Sequence, residues 1–178
     1  MTQPYLIYIV TVMFLLPVLS VYVEFYFTRK RRRQALQTSA FAYTAVLFKW
    51  FVFWAVGVRL LTAGLSQVFH PEMTASILSL PVTADVIVKE LGLANLVMGT
   101  AAIVSLWAVS WRPTAAFTGA LYLGAAGVQH WMRMGQGVTQ KEEIAMVSDL
   151  AIAALVMLYL IWLWRSSRTA RASRPEQA

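Results

Sequence analysis

Residues 41–69 read FAYTAVLFKWFVFWAVGVRLLTAGLSQVF, an apolar run that contains two cations, Lys49 and Arg59. An α-helix rises about 1.5 Å per residue, so about 20 apolar residues cross the hydrocarbon of a bilayer. This run is longer than a span requires, and it is also too long to be buried in the core of a small soluble protein. It therefore predicts a transmembrane helix that tilts or projects above the membrane.

Four more apolar segments lie around this run in a chain of 178 residues, which has room for one domain. The chain is 59% hydrophobic and its mean hydropathy is +0.62. We predict an all-α integral membrane bundle of five transmembrane helices within residues 1–164. The predicted spans are about 5–27, 41–69, 86–107, 115–131 and 144–164. Residues 165–178 are basic and predict a disordered cytoplasmic tail.

The positive charge of the chain has an uneven distribution along it. The net charge is +7, and ten of the fifteen Lys and Arg residues fall at residues 29–33, at Arg112 and at residues 165–174. These segments are alternate loops of the five-span topology, whereas the opposite loops hold only Arg133 and Lys141. Because cytoplasmic loops collect Lys and Arg, the N-terminus is predicted outside and the C-terminus in the cytoplasm. The basic segments then face anionic lipid headgroups, and we expect no nucleic-acid partner.

Several kinds of chemistry have no support in the sequence. The chain has no cysteine, so thiol and iron–sulfur chemistry within it is excluded. Its two histidines, His70 and His130, lie on separate segments without ligand spacing, and we expect no metal site. No nucleophile–base motif and no phosphate-binding loop is present.

Ionisable residues inside the predicted spans are the candidate functional residues, because each charge in hydrocarbon costs roughly 3 kcal/mol or more unless it is paired or hydrated. Matched depths predict a polar cluster in the outer half of the bundle, in which Arg59 pairs with Glu90. The other members of the cluster are Asn95, His130 and Asp149. A secondary pair, Glu24 with Lys49, is predicted in the inner half, unless Lys49 extends to the headgroups instead. The cluster either fixes helix register or binds a ligand or proton, and both alternatives stay open.

Helical spacing of about 100° per residue assigns faces to these spans. In the second span the small and polar residues share one face, and Trp50 and Trp54 on the other face are predicted to contact lipid. In the fourth span a stripe of small residues is predicted to face protein; it comprises Ala116, Gly119, Ala120, Leu123, Gly127 and His130. In the third span Asn95 shares a face with two glycines, and Glu90 lies roughly opposite. Residues 70–81 predict a short interfacial helix, either a lid or a plain connector.

One set of residues resembles a known family. The second span contains Arg59-Leu60-Leu61-Thr62-Ala63-Gly64-Leu65, the next loop ends in Leu80-Pro81, and the third span has Glu90 followed by Gly99. This pattern resembles the DoxX-like group of small bacterial membrane proteins, or an uncharacterised family close to it. The resemblance implies a four-helix core over residues 41–164 with an added N-terminal helix. It also implies a link to quinone-linked oxidation or to oxidative-stress complexes, and only Arg59 and Glu90 match the charged motif positions.

The leading hypothesis is a non-enzymatic membrane protein that binds a small apolar or amphipathic ligand, either a lipid or a quinone, or that serves as an accessory subunit. A membrane partner protein or a homo-oligomer is compatible with this role. The alternative is a subunit of a quinone-linked oxidoreductase, with quinone as the cofactor that the resemblance implies. A proton-coupled carrier ranks third, because five spans give no even inverted repeat.

Overall fold

The computed structural model describes residues 3–31 and 40–172 of the chain, and these residues form helices joined by short turns. We number the helices α1 to α6 in chain order. Their bounds are 3–31 for α1, 40–69 for α2, Pro71–Ile77 for α3, Asp85–Val104 for α4, Arg112–Arg133 for α5 and Gln140–Ala172 for α6. No β-strand occurs within the described ranges, so the all-α prediction is confirmed there.

The five long helices run up and down, each antiparallel to the one before it. We call the end that holds Gln3, α3 and Gln140 the upper end, and the end that holds Arg31 and Val104 the lower end. Within the described residues, four helices are long and apolar enough to cross a membrane, over Gln3–Thr28, Tyr43–Phe69, Asp85–Val104 and Gln140–Arg168. The 22-residue helix α5 is not among them, since its glycines and the polar residues near its upper end make it less apolar.

Helices α2 and α4 make the closest backbone contact in the bundle. Each has two glycines seven residues apart, and Gly57 and Gly64 of α2 lie against Gly99 and Gly92 of α4. A Cβ atom added at Gly99 would lie 2.6 Å from the backbone nitrogen of Leu61. Small residues allow such close approach, which gives membrane helices dispersion contacts where the hydrophobic effect gives little. The buried face of α4 therefore holds these glycines and Asn95, as its sequence predicts.

Helix α5 packs on α2 and α6 through the predicted small-residue stripe. Ala116, Gly119, Ala120, Leu123 and Gly127 are all buried. A Cβ atom at Gly119 would meet the Val56 side chain of α2, and one at Gly127 would meet Leu150 of α6. The prediction that this stripe faces protein is confirmed. Through the stripe, α5 connects the α2–α4 pair to α6.

Helix α1 packs beside α2, and this contact corrects one prediction. The indole of Trp50 donates a hydrogen bond to Glu24 at 2.6 Å, and that of Trp54 donates to Ser20 at 3.0 Å. Both tryptophans thus contact α1 instead of facing lipid only. The cause is the position of α1, which covers this face of α2. A π-helical segment, Val52–Val58, also interrupts α2, and its wider turn takes one more residue. Faces before and after it are therefore out of phase by about 100° relative to a continuous α-helix.

The lower and middle bundle is filled by an apolar layer. Its members are buried side chains from all five long helices, and those from α2, α5 and α6 include Phe48, Val52, Val56, Ala116, Ile152 and Val156. The ring of Phe48 stacks on that of Tyr159 with 3.8 Å between centroids. Dense apolar packing of this kind holds the helices together and leaves little room for water.

The end of α6 also differs from its prediction. Residues 165–172 continue the helix in place of beginning a disordered tail, and residues 173–178 lie outside the described part. Arginine and alanine are good helix formers. The guanidinium of Arg168 lies 4.5 Å from the ring centroid of Trp164, one turn earlier, and this contact supports the extension.

Candidate functional site

The upper half of the bundle encloses a cavity of about 500 Å³. Side chains from all five long helices and from the α3 segment line it, including Tyr5, Tyr8, Arg59, Thr62, Gln67, Thr74, Asn95, Tyr122, His130 and Asp149. Pockets of this size, apolar with a few polar groups, are the usual form of small-molecule sites. The cavity is therefore the candidate ligand-binding site of the protein.

Arg59 and Asp149 form a buried ion pair at the cavity. Arg59 and Asp149 are 7% and 5% exposed, and the guanidinium donates to the Asp149 carboxylate and, at 2.8 Å, to the Ser148 hydroxyl. Arg59 is the first residue after the π-helical segment of α2. The pair links α2 to α6 across the bundle, so each charge has a partner in a low-dielectric environment.

Glu90 is not part of this cluster, so the predicted Arg59–Glu90 pair is wrong. Glu90 lies exposed on α4, and the carboxylate bonded to Arg59 is that of Asp149. The reason is geometric: Glu90 precedes the buried Gly92 by two residues, which places it about 200° around the helix. Glu90 lies at a depth similar to that of Arg59, but its face of α4 is turned away from the interior of the bundle.

Two further polar pairs line the cavity without net charge. Asn95 of α4 donates from Nδ2 to Gln67 Oε1 of α2 at 2.6 Å. The Tyr8 hydroxyl of α1 is hydrogen-bonded to the Thr62 hydroxyl of α2. The sequence assigned Asn95 to the cluster, and the structure brings it there, whereas Tyr8 and Thr62 were not among the predicted site residues. Tyr8 is partly buried on α1, next to the buried Ile9.

His130 lies at the upper rim of the cavity and pairs with a residue that the sequence analysis missed. Its Nδ1 is 3.0 Å from Glu142 Oε1, and Arg133 Nη1 is 3.2 Å from the same oxygen. Glu142 is only 1% exposed. The available signal was Thr139-x-x-Glu142, which marks a helix start. The Glu142 amide donates to the Thr139 hydroxyl at 3.2 Å as in a capping box, while the carboxylate turns to α5.

The segment around α3 covers the upper side of the cavity. Thr74, Ile77 and Leu78 line it. The carbonyl of Leu78 accepts a hydrogen bond from Arg133 at 2.8 Å, and that of Ile77 accepts one from Thr139 at 2.9 Å. Of the two predicted roles, a lid or a connector, the segment therefore has the position of a lid and is tied to α5 and to the start of α6.

The second predicted pair, Glu24 with Lys49, is present in the lower half. The Lys49 ammonium donates to Glu24, and its centre lies 5.0 Å from the Trp50 ring centroid. Along α2 the buried Val52 and Val56 separate this pair from Arg59. The lower pair is thus a contact between α1 and α2 and does not line the cavity.

Three buried polar atoms near the cavity have no hydrogen-bond partner among the described residues. They are Arg59 Nη1, Asn95 Oδ1 and Glu142 Oε2. A buried polar atom without a partner costs about 1–3 kcal/mol. A polar group of a ligand within the cavity would recover part of that cost. No three His, Asp or Glu side chains of the described ranges lie close enough together to hold a metal ion.

The fold and the cavity define the class: a helical protein with several membrane-capable helices around a polar-lined pocket near one end. The chain belongs to a family of unknown function, DUF6790, whose model matches residues 7–170. The DoxX-like group does not appear among the family matches. Neither a curated protein nor a solved structure matches the chain.

Proposed function

We propose that this chain is a multi-pass protein of the bacterial inner membrane that binds a small amphipathic molecule in its upper cavity. In this proposal all five long helices span the bilayer, the upper end faces outward and the C-terminus lies in the cytoplasm. The one observation that supports ligand binding most strongly is the cavity of about 500 Å³. It holds buried polar atoms that the described residues leave without partners.

The cavity suits a ligand with one polar end and one apolar end. Its polar residues include Arg59, Asn95 and Tyr122, and its apolar lining includes Ile9, Leu60, Leu91 and Leu123. A lipid or a quinone fits this description. A distant relation to the DoxX-like group would favour quinone as the ligand. The evidence for that relation is weaker in the structure, because Glu90, one of the two charged motif residues, is exposed.

A binding role or a role as an accessory subunit is favoured over a carrier. A carrier needs a path between the two sides, and the apolar layer with Val52, Val56 and Ile152 separates the cavity from the lower pair. A quinone-linked oxidoreductase subunit remains the alternative. Quinone reduction with a supplied electron donor would favour that alternative over a pure binding role.

The test of binding is a comparison of co-purified lipid in two matched variants. Ala63→Leu adds bulk to a residue that lines the cavity, and Ala94→Leu adds the same bulk at an exposed position on α4. We expect mass spectrometry of the gently extracted protein to detect a bound small molecule in the wild type and in Ala94→Leu, and much less in Ala63→Leu. Equal recovery of the molecule from all three proteins, or none from the wild type, would contradict the proposal.

A further inference from the structure

The charges around the cavity form matched pairs. Arg59 is bonded to Asp149, and Arg133 is within 3.2 Å of Glu142. Two arginines and two carboxylates sum to zero, and His130 is charged only if protonated. Each cation therefore already has an anion, and neither arginine is left over to neutralise a charged ligand.

The remaining polar lining is uncharged. Nine further side chains that bear a hydroxyl or a carboxamide line the cavity: Tyr5, Tyr8, Thr62, Ser66, Gln67, Thr74, Asn95, Tyr122 and Gln129. Such groups donate and accept hydrogen bonds but give no Coulombic compensation to an ion. A net charge placed among them would carry the desolvation cost of a buried charge without an opposite partner.

The atoms without partners offer both hydrogen-bonding roles. Arg59 Nη1 is a donor, and Asn95 Oδ1 is an acceptor. An oxygen of the ligand would accept from Arg59, and a hydroxyl would donate to Asn95. A hydroxyl satisfies either role, because it has one donor hydrogen and two acceptor lone pairs.

From this balance we infer that the ligand of the upper cavity is an amphiphile with an uncharged, hydroxyl-bearing head, and not a fatty acid, an anionic phospholipid or a cationic amphiphile. This inference rests on the proposed binding function and names the chemical class of its ligand. The apolar lining takes the chain of the amphiphile, and the uncharged polar side chains surround its head.

The experiment compares three probes that share one chain and differ in the head: monolaurin, which is a neutral diol, lauric acid and laurylamine. Each is titrated into the full-length protein in nanodiscs of phosphatidylcholine, whose head bears no hydroxyl, with the Ala63→Leu variant as the control for partition into the bilayer. We expect the neutral probe to bind at least about tenfold more tightly than either charged probe. Equal or tighter binding of lauric acid or laurylamine would overturn the inference while leaving the binding function intact. Binding of none of the three would contradict the binding function as well.

A matched pair of charge variants tests whether the charge balance of the cavity lining causes the preference for an uncharged head. Gln129→Lys places an added cation on the cavity lining, and Gln136→Lys places the same charge outside it, at an exposed position in the turn before α6. We expect Gln129→Lys to raise the affinity for lauric acid by about tenfold and Gln136→Lys to leave it near the wild-type value. An equal response of both variants would show that general surface charge sets the preference, which would contradict the charge-balance argument.

Discussion

The two halves of the bundle differ in what occupies the space between the helices. In the lower and middle part, α2, α5 and α6 meet through an apolar layer, and the α2–α4 contact is so close that Gly99 touches backbone. In the upper part the same helices surround a cavity, and the contacts between them include ion pairs and hydrogen bonds beside the close approach of Gly64 to Gly92. Close apolar packing stabilises a fold, whereas a polar-lined cavity costs stability and is retained where something binds.

The largest expected effect is the removal of one partner from the buried upper pair. Asp149→Asn leaves Arg59 buried with an uncompensated charge, and we expect a loss of about 3–5 kcal/mol in the free energy of unfolding. The measurement is unfolding in mixed micelles. The double variant Arg59→Met/Asp149→Asn removes both charges and should recover most of that loss. Arg59→Met is the second single variant and completes the double-mutant cycle. Losses that simply add in this cycle would show that the two residues do not act as a pair.

The next effect tests the close contact between α2 and α4. Gly99→Ala places a Cβ atom 2.6 Å from the Leu61 nitrogen and 2.9 Å from the Gly57 oxygen, so the two helices must separate. We expect a destabilisation of about 1–3 kcal/mol from overpacking. Helix propensity alone predicts the opposite sign, since alanine is the better helix former by about 1 kcal/mol. Thr100→Ala, at the next and exposed position, is the control and should change little.

A smaller effect is expected at the lower ion pair. Glu24 and Lys49 side chains are 29% and 19% exposed, so water and headgroups share the solvation of their charges. We expect Glu24→Gln to cost about 1 kcal/mol or less, well below the cost of Asp149→Asn. The same unfolding assay decides this. If the two substitutions cost equal amounts, the contrast between a buried upper pair and a half-exposed lower pair would be wrong.

The smallest effect is a gain in stability at the end of the covering segment. Ser79 has a φ of 52°, a left-handed conformation that favours glycine. It follows α3 in the position that ends many helices, where the Leu80 amide donates to the Ala75 carbonyl at 2.8 Å. We expect Ser79→Gly to stabilise the protein by about 1 kcal/mol or less, and Ser76→Gly inside the helix to destabilise it. A loss of stability in Ser79→Gly would show that the serine does more than end the helix.

Much of the fold could be predicted from the sequence, because two sequence patterns are typical of packed membrane helices. Long apolar runs gave the helices, and small residues repeated on one face gave the contacts of α4 and α5. The glycines of α4 share a face with Asn95, and that face is buried. The sequence predicts five spans, and in the described part of the chain four of the five long helices are apolar enough to cross a membrane on their own.

The prediction that Arg59 pairs with Glu90 was wrong. It rested on the matched depth of the two residues in the bundle and ignored the helix face on which each residue lies. Both Glu90 and Asp149 lie near the upper end, and only Asp149 lies on a buried face. The helical spacing already set Glu90 opposite the glycine face of α4, so the two criteria applied together would have selected Asp149. This error was avoidable from the sequence.

Two other features had weaker signals in the sequence. The π-helical segment of α2 shifts the phase between Trp54 and Arg59, and no residue type marks such a segment in advance. Glu142 lies between the predicted spans 115–131 and 144–164, three residues after Thr139 in a helix-start pattern. Its burial depends on His130 and Arg133 of α5, which only the packing of α5 against α6 brings near.

The most direct test of the central claim is an experimental structure of the protein purified from its membrane without added ligand and crystallised from a lipidic phase. The account predicts elongated density in the upper cavity between Tyr8, Arg59 and Tyr122, with its polar end near Arg59 and Asn95. The apolar layer around Val52 and Val156 should contain none. An upper cavity closed by side chains, or one that contains ordered water alone, would contradict the account.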